Sequence, residues 1–90
     1  MEAYNDIKVS VIIPCYNAVK YVEETLQSVS SQTFKNIEII VVDDGSTDDT
    51  FSIINSYKDI DNRLKVIKIQ NGGSSKARME GAKLAKGEYL

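Results

Sequence analysis

The chain has 90 residues, of which 42% are hydrophobic and 27% are charged, so its composition predicts one small globular domain and excludes a disordered or fibrous chain. Its 11 basic and 13 acidic residues give a net charge of −2 and are interspersed, which argues against a nucleic-acid partner. Cys15 is the only cysteine and there is no histidine, which excludes an internal disulfide and a Cys/His zinc site.

The first predicted strand is Lys8–Ile13, and Pro14 is expected to end it because proline has no N–H to donate. Apolar residues then recur at helical spacing. This spacing predicts an amphipathic helix from Ala18 to about Gln32, with its N-cap near Asn17. One face of the helix should pack on the sheet while the other faces water.

The second predicted strand, Ile37–Val42, is a continuous β-branched run, which suits a strand that is covered on both faces in a parallel sheet. It is followed at once by Asp43 and Asp44, and then by Ser46 as the expected N-cap of a second helix. Ligands of open α/β sheets bind at the carboxyl ends of the strands, and ionised Asp is costly to bury. The acidic pair therefore predicts a binding site, with a simple turn and helix cap as the alternative.

The third predicted strand, Leu64–Ile69, alternates between apolar and polar residues as expected at a sheet edge. A third helix is predicted over Lys76–Lys86, with Gly87 just beyond its end, and Glu88–Leu90 would open a fourth strand. The packed side of that helix is predicted to consist of Ala77, Gly81, Leu84 and Ala85. The order βαβαβα predicts an α/β fold with a Rossmann-like parallel sheet, and the barely opened fourth strand suggests the front part of a larger protein.

Polar and aromatic residues follow each predicted strand, at one rim of the sheet. An aromatic ring at Tyr16 can stack on a base, the carboxylate of Asp44 can accept hydrogen bonds from an imide or ribose, and Arg78 can face phosphate oxygens. This combination predicts a nucleotide pocket. The glycine patterns of dinucleotide-binding Rossmann domains and of P-loops are both absent, so another mode of phosphate binding is expected.

Four segments together resemble the opening of a family 2 glycosyltransferase of the GT-A fold. They are Val9-Ser10-Val11-Ile12-Ile13-Pro14-Cys15-Tyr16-Asn17, Ser31-Gln32-Thr33-Phe34, Val41-Val42-Asp43-Asp44-Gly45-Ser46-Thr47-Asp48 and Ala85-Lys86-Gly87-Glu88-Tyr89. Each motif alone is weakly specific, but the four in this order and spacing cover nearly the whole chain. The resemblance implies transfer of a sugar from a nucleotide-sugar donor, often a UDP-sugar, to a glycan or other hydroxyl acceptor, with inversion at the anomeric carbon.

The resemblance also implies roles for individual residues. Residues 1–90 would be the N-terminal nucleotide-sugar-binding part of the enzyme, as in polysaccharide biosynthesis. The residues that it places around the nucleotide are Pro14, Tyr16, Asn17, Asp43, Asp44, Asn71 and Arg78. A divalent metal, Mn or Mg, would be held by an Asp-x-Asp motif after the Gly87-Glu88-Tyr89 strand, mostly beyond Leu90. The catalytic base would also lie there, so no catalytic residue or metal ligand is expected in residues 1–90 and these residues alone should be inactive.

Two other classes of function are considered. A receiver-like signalling module would use an acidic pair to bind Mg²⁺, but it requires acids after the first and third strands, where this chain has Pro14 and Asn71. A non-catalytic assembly domain would pair through an exposed sheet edge, and the same edge predicts a homodimer of these residues.

No apolar run reaches the roughly 20 residues that span a bilayer, and the first residues lack the charged and apolar regions of a signal peptide. We expect a cytoplasmic location, which for the full-length protein includes the cytoplasmic face of the membrane.

Overall fold

The computed structural model describes residues 9–31 and 36–89, the last two by their backbone only. Strands and helices alternate along these residues. The elements are β1 Val9–Cys15, α1 Val22–Ser30, β2 Ile37–Asp44, α2 Thr50–Tyr57, β3 Leu64–Ile69, α3 Ser74–Leu84 and β4 Glu88–Tyr89. The predicted start of the first strand at Lys8, the Gln32-Thr33-Phe34 part of the second motif, and Leu90 lie outside the described residues.

The strands form one parallel sheet in the order β3-β2-β1-β4. The central strand β2 is a β-branched run that is buried along all of its residues, as its sequence predicts for a strand covered on both faces. The strand β3 lies at one edge of the described sheet, in agreement with its alternating pattern. The α/β fold with parallel βαβαβα order is therefore confirmed, and β4 is the beginning of the expected fourth strand.

Side chains from alternate positions of β2 build a hydrophobic core on each face of the sheet. On one face, Ile39 and Val41 pack with residues of α1 and α2, including Leu26 and Ile54. On the other face, Ile40 and Val42 pack with Ala77 of α3. Side chains repeat every two residues in a strand and every 3.6 residues in a helix, and these repeats bring apolar side chains of the helices to both faces of β2.

Helix α3 lies close to the sheet because of its small residues. A Cβ atom at Gly81 would lie 2.6 Å from Cγ2 of Ile12 and 3.2 Å from Cγ2 of Val42, so only glycine fits there without movement of the core. The predicted small face is confirmed at Ala77 and Gly81, which are buried, but Leu84 is exposed.

The ends of several elements differ from the prediction. β1 continues through Pro14 to Cys15, where Pro14 pairs with Val42 and Cys15 with Asp43 of β2. At Pro14 the strand has β2 as its described neighbour, and the loss of one N–H donor does not end the pairing there.

The helices also begin elsewhere than predicted. α1 starts at Val22 after a turn in which the Ala18 carbonyl accepts hydrogen bonds from the N–H groups of Tyr21 and Val22, so Asn17 is not its N-cap. α2 starts at Thr50 with Asp49 in the N-cap position rather than Ser46. The side chains expected to cap these helices instead connect the two loops, as described below.

The third helix starts earlier and ends earlier than predicted. α3 begins at Ser74, directly after Gly73, and ends at Leu84 with Ala85 in an extended conformation, so Gly87 is not its C-terminal stop. The chain must turn here to enter β4, and two consecutive N–H groups that follow Ala85 are bound by the sheet.

Candidate functional site

The carboxyl ends of β1, β2 and β3 meet at one rim of the sheet and enclose a cleft with a volume of about 210 Å³. The residues that line it are Pro14, Cys15, Tyr16, Asp44, Asn71, Gly73 and Ser74. Four of the seven residues predicted for the nucleotide site are in this set. The topology brings them together because parallel strands end at the same edge.

Asp44 lies at the centre of this rim. Its side chain is almost fully buried, and its two carboxylate oxygens accept hydrogen bonds from the backbone N–H groups of Gly72 and Gly73, at 2.9 Å each. A carboxylate oxygen can accept two hydrogen bonds. Each oxygen therefore retains accepting capacity for a ligand, while its orientation is already fixed.

The loop after β3 is held against the end of β2 by two further features. The Asn71 side-chain amide donates to the Asp44 carbonyl at 3.0 Å. Gly45 has a φ of +71°, and a Cβ atom there would lie 2.7 Å from the Asn71 backbone nitrogen. Glycine at this position thus permits both the left-handed turn and the close approach of the two loops.

The first strand contributes the apolar side of the cleft. Pro14 is half-buried within β1, and Tyr16, immediately after the strand, is 51% exposed. An exposed ring at a cleft can present its face to a planar ligand. The aromatic position is therefore available for the stacking that the sequence predicts.

Asn17 lies at the same rim but does not line this cleft. It has a φ of +46°, and its side-chain oxygen accepts hydrogen bonds from the Thr47 backbone N–H and hydroxyl. Its own N–H donates to Oγ of Ser46, and the next N–H, of Ala18, donates to Oγ1 of Thr50. These contacts connect the loop after β1 to the loop after β2. The predicted role of Asn17 in nucleotide binding stays a prediction.

The acidic pair is divided between the two faces of the sheet. Asp43 is fully buried on the face that carries α1 and α2, and neither of its carboxylate oxygens has a hydrogen-bond partner in the described part of the chain. It is paired in the sheet with Cys15. Burial, and secondly the nearby Asp43 carboxylate, raises the pKa of the Cys15 thiol to about 11, so this cysteine is not activated as a nucleophile.

Arg78 lies one turn into α3 and is exposed. It is not among the described residues that line the cleft. The predicted contact of Arg78 with a diphosphate therefore stays a prediction.

Several residues of the rim were not predicted from the sequence. The backbone N–H groups of Gly72 and Gly73 orient Asp44, and Ser74 lines the cleft at the start of α3. The Gly-Gly pair before a helix indicates a tight loop in the sequence, but which acceptor its N–H groups bind depends on how the strands pair. Among the cross-loop partners, Ser46 was assigned only to helix capping, and no role was predicted for Thr47 or Thr50.

The described residues do not fit a divalent metal ion. Asp43 and Asp44 lie on opposite faces of the sheet, so their carboxylates do not converge on one ion. No group of three or more Asp, Glu or Cys side chains in residues 9–31 and 36–87 could hold such an ion. Also within the described residues, no helix is long and apolar enough to cross a membrane.

Residues 10–90 match the sequence profile of glycosyl transferase family 2. The chain belongs to this family. Its resemblance to family 2 glycosyltransferases, drawn from four short motifs, is thereby confirmed over almost its whole length.

Individual relatives agree with this assignment. The chain is 45% identical over 83 residues to glycosyltransferase GlyG of Streptococcus pneumoniae, a match that covers 91% of this chain and 28% of that protein. It superimposes with a TM-score of 0.85 and 44% identity on S. aureus TarS 1-349 in complex with UDP-GlcNAc, covering 93% of this chain and 25% of the other. It also resembles the mannosyltransferase PcManGT of Pyrobaculum calidifontis in complex with GDP-Man and Mn²⁺, at a TM-score of 0.79 and 28% identity, covering 87% and 24%.

These matches confirm that the fold corresponds to the N-terminal portion of a GT-A glycosyltransferase. The chain spans about a quarter of the length of each of these relatives. The family of the chain is thus shown by the profile match, and neither the comparisons nor the geometry supports the receiver alternative.

Proposed function

We propose that this chain is the nucleotide-binding part of an inverting glycosyltransferase that takes a UDP-sugar donor and transfers the sugar to a hydroxyl group of a glycan or other acceptor. The observation that carries the proposal is the convergence of Tyr16, Asp44 and Asn71 on one cleft, with the Asp44 carboxylate held in place by two backbone N–H groups. The resemblance to TarS in complex with UDP-GlcNAc supports UDP as the nucleotide.

The chemistry of the cleft suits the uracil base. Uracil presents an imide N–H, which an ionised carboxylate can accept, and a planar ring, which Tyr16 can stack on. The volume of about 210 Å³ is below the roughly 300–1,000 Å³ typical of sites that enclose a whole small molecule. We therefore assign the base and part of the ribose to this cleft, and the sugar to residues outside the described part of the chain.

The remaining parts of the machinery are proposed to lie elsewhere in the natural protein. These are the ligands of a divalent metal that would offset charge on the leaving diphosphate, and a base that deprotonates the acceptor hydroxyl. Residues 1–90 would bind the nucleotide but would not catalyse sugar transfer by themselves. It also places the protein in the cytoplasm, where nucleotide-sugar donors would be available to it.

The test is sugar transfer by the natural protein that carries this chain, with UDP-GlcNAc, UDP-glucose and GDP-mannose offered in turn and the released nucleoside diphosphate measured. We expect turnover with a UDP-sugar, and a donor KM raised about tenfold by Asp44→Asn, as for the loss of a hydrogen bond to a charged group. The matched control is Asp49→Asn, an exposed acid of the next loop, which should leave KM unchanged. Turnover with GDP-mannose alone, or equal effects of the two variants, would contradict the proposal.

A further inference from the structure

A buried carboxylate that is unrelated to the cleft lies near the opposite end of the sheet. Glu38 is the second residue of β2 and is 2% exposed. Burying an ionised side chain to this extent is costly unless its charge is paired and its oxygens are hydrogen-bonded. The contacts that offset this cost show what the residue does.

Glu38 connects three strands and the loop that follows α3. Oε2 accepts hydrogen bonds from the Ser10 hydroxyl and from the Lys86 backbone N–H, at 2.6 Å each, and Oε1 accepts one from Nζ of Lys65 at 2.8 Å. The Ser10 hydroxyl oxygen in turn accepts the Gly87 N–H at 3.0 Å. We call the contacts of Glu38 and Ser10 with these two N–H groups the β4 latch.

The charge of Glu38 is maintained in this environment. Burial acts to raise the pKa of Glu38, but the hydrogen bonds from Lys65, Ser10 and the Lys86 N–H together outweigh it and hold the pKa below its ordinary value. An ionised acceptor makes stronger hydrogen bonds than a neutral one. The latch therefore binds the two N–H groups that immediately precede β4 with a charged group and a hydroxyl that are both fully buried.

We propose that Glu38 and Ser10 are positioning residues that fix the register in which β4 joins β1, and through it the residues that follow β4 at the nucleotide rim. This rests on the proposed function. The latched register pairs Val9 with Glu88 and Ser10 with Tyr89. Because successive side chains of a strand alternate between faces, a slip of one residue would exchange the faces of every residue that follows.

The register of β4 on β1 matters for the cleft because the latch lies several residues away from it along the sheet. β4 runs parallel to β1, so its direction leads toward the end of the sheet that carries Tyr16 and Asp44. From Ser10 to Cys15 is five residues, or about 16 Å at the rise of a parallel strand. Because a one-residue slip in a strand exchanges the faces of all later side chains, the alignment set at the latch carries over this distance to the rim.

Hydrogen exchange of the natural protein tests the latch without reference to activity. We expect Ser10→Ala to speed exchange of the Gly87 amide, and Glu38→Gln that of the Lys86 amide, by at least about tenfold, while the amides of β2 remain protected. The matched control is Lys68→Gln, which changes an exposed lysine of the same edge strand and leaves Glu38, its ion pair with Lys65 and the latch atoms in place. It should not speed exchange at these two amides.

Three outcomes would overturn the proposal: unchanged exchange at residues 86–87 in folded Ser10→Ala, the same increase in Lys68→Gln, or an increase spread evenly over the whole sheet. If Glu38→Gln does not fold, the exchange rates of Ser10→Ala alone test the latch. This variant should fold because it removes only one oxygen atom.

Steady-state kinetics then separate positioning from nucleotide binding. Ser10→Ala should lower kcat at least about tenfold with the donor KM within about twofold of the native value, since the cleft is untouched. A rise in KM equal to the fall in kcat would contradict a role in positioning the chain after β4. If the native protein transfers no sugar at all, the proposed function fails, and the exchange measurement still decides whether the latch exists.

Discussion

Gly45 is the residue on which the shape of the rim around the cleft depends most directly. Its φ of +71° disfavours any side chain, and a Cβ atom would meet the Asn71 backbone at 2.7 Å. We expect Gly45→Ala to lower the free energy of unfolding by roughly 1–2 kcal/mol through backbone conformation and by a further roughly 1–3 kcal/mol through the clash. Denaturant unfolding measures the change.

The matched control for this prediction is Gly72→Ala in the neighbouring loop. A Cβ atom at Gly72 would meet only the flexible Lys76 side chain, which can move away. This variant should change the unfolding free energy by no more than about 0.5 kcal/mol, as at ordinary surface positions. Equal losses in the two variants would show that the close approach of the loops is not what requires glycine at position 45.

Asp61 links the stability of the chain to pH. Hydrogen bonds from the Arg63 side chain, at 3.0 and 2.8 Å, lower the pKa of Asp61 from 3.8 to about 2. Because the folded pKa is depressed, this stabilisation is fully present above the unfolded pKa of 3.8 and is lost as the pH falls toward 2. At neutral pH it amounts to about 2 kcal/mol, from 1.4 kcal/mol per pKa unit.

The prediction is that Asp61→Asn is less stable than the native chain by about 2 kcal/mol at pH 7, and that the difference shrinks between about pH 4 and pH 2, because Asn does not titrate. Denaturant unfolding at a series of pH values checks it. Asp59→Asn changes an exposed acid of the same turn and should show no such convergence. A constant difference across the series would mean that Arg63 does not act through the charge of Asp61.

The residues of the site were partly predictable from the sequence. The sequence indicated Pro14, Tyr16, Asp44 and Asn71, because strand tips in a parallel sheet share one rim, and the structure places all four at one cleft. It gave the contact with the base to Asp44 but included Asp43 in the same site. Which of two adjacent acids faces the cleft depends on where β2 ends relative to its neighbours, and this register is a property of strand pairing over long sequence distances.

At the scale of elements, the close contact of α3 with the sheet should reverse the stability change that helix propensity alone predicts for a Gly→Ala substitution. In an exposed helix, Gly→Ala stabilises by roughly 0.5–1 kcal/mol. At Gly81 the added methyl group would lie 2.6 Å from Cγ2 of Ile12. We expect Gly81→Ala to destabilise the chain by about 1–3 kcal/mol, the usual cost of overpacking a core.

Thermal unfolding measures this change, and Met79→Ala is its control, because Met79 lies on the same helix at 58% exposure. The control should lie within about 0.5 kcal/mol of the native chain. A Gly81→Ala variant more stable than the native chain would show that α3 can move away from the sheet.

The type and order of the elements followed from the sequence, and their ends did not. Hydrophobic periodicity is a local property, and it predicted all the strands and helices in the observed order. The starts of α1 and α2 depend on the hydrogen bonds of Asn17 with Ser46 and Thr47, about 30 positions along the chain. Local capping rules cannot anticipate such contacts, which form only when two loops are brought together by the sheet.

At the scale of the whole molecule, the edges of the sheet govern association. β3 carries Lys65 and Lys68, and charged side chains on an edge strand oppose pairing with another chain. In residues 1–90 alone, the side of β1 beyond Ser10 has no described strand beside it. The predicted homodimer of these residues should therefore form through β1 and β4, and sedimentation should show concentration-dependent association. A strictly monomeric chain at millimolar concentration would contradict this.

The central claim is that the rim of this sheet recognises uracil through the carboxylate of Asp44. The measurement that tests it most directly is an amide NMR titration of residues 1–90 with UDP and with CDP, for the native chain, Asp44→Asn and Asp49→Asn. Cytosine presents a ring nitrogen that accepts a hydrogen bond where uracil donates one, so an ionised carboxylate should discriminate strongly against it. We predict saturable shifts at Tyr16, Asp44 and Asn71 with UDP, affinity for CDP lower by at least about tenfold, and loss of that preference in Asp44→Asn alone. Equal affinity for UDP and CDP in a well-folded native sample, or shifts confined to residues away from the cleft, would contradict the account.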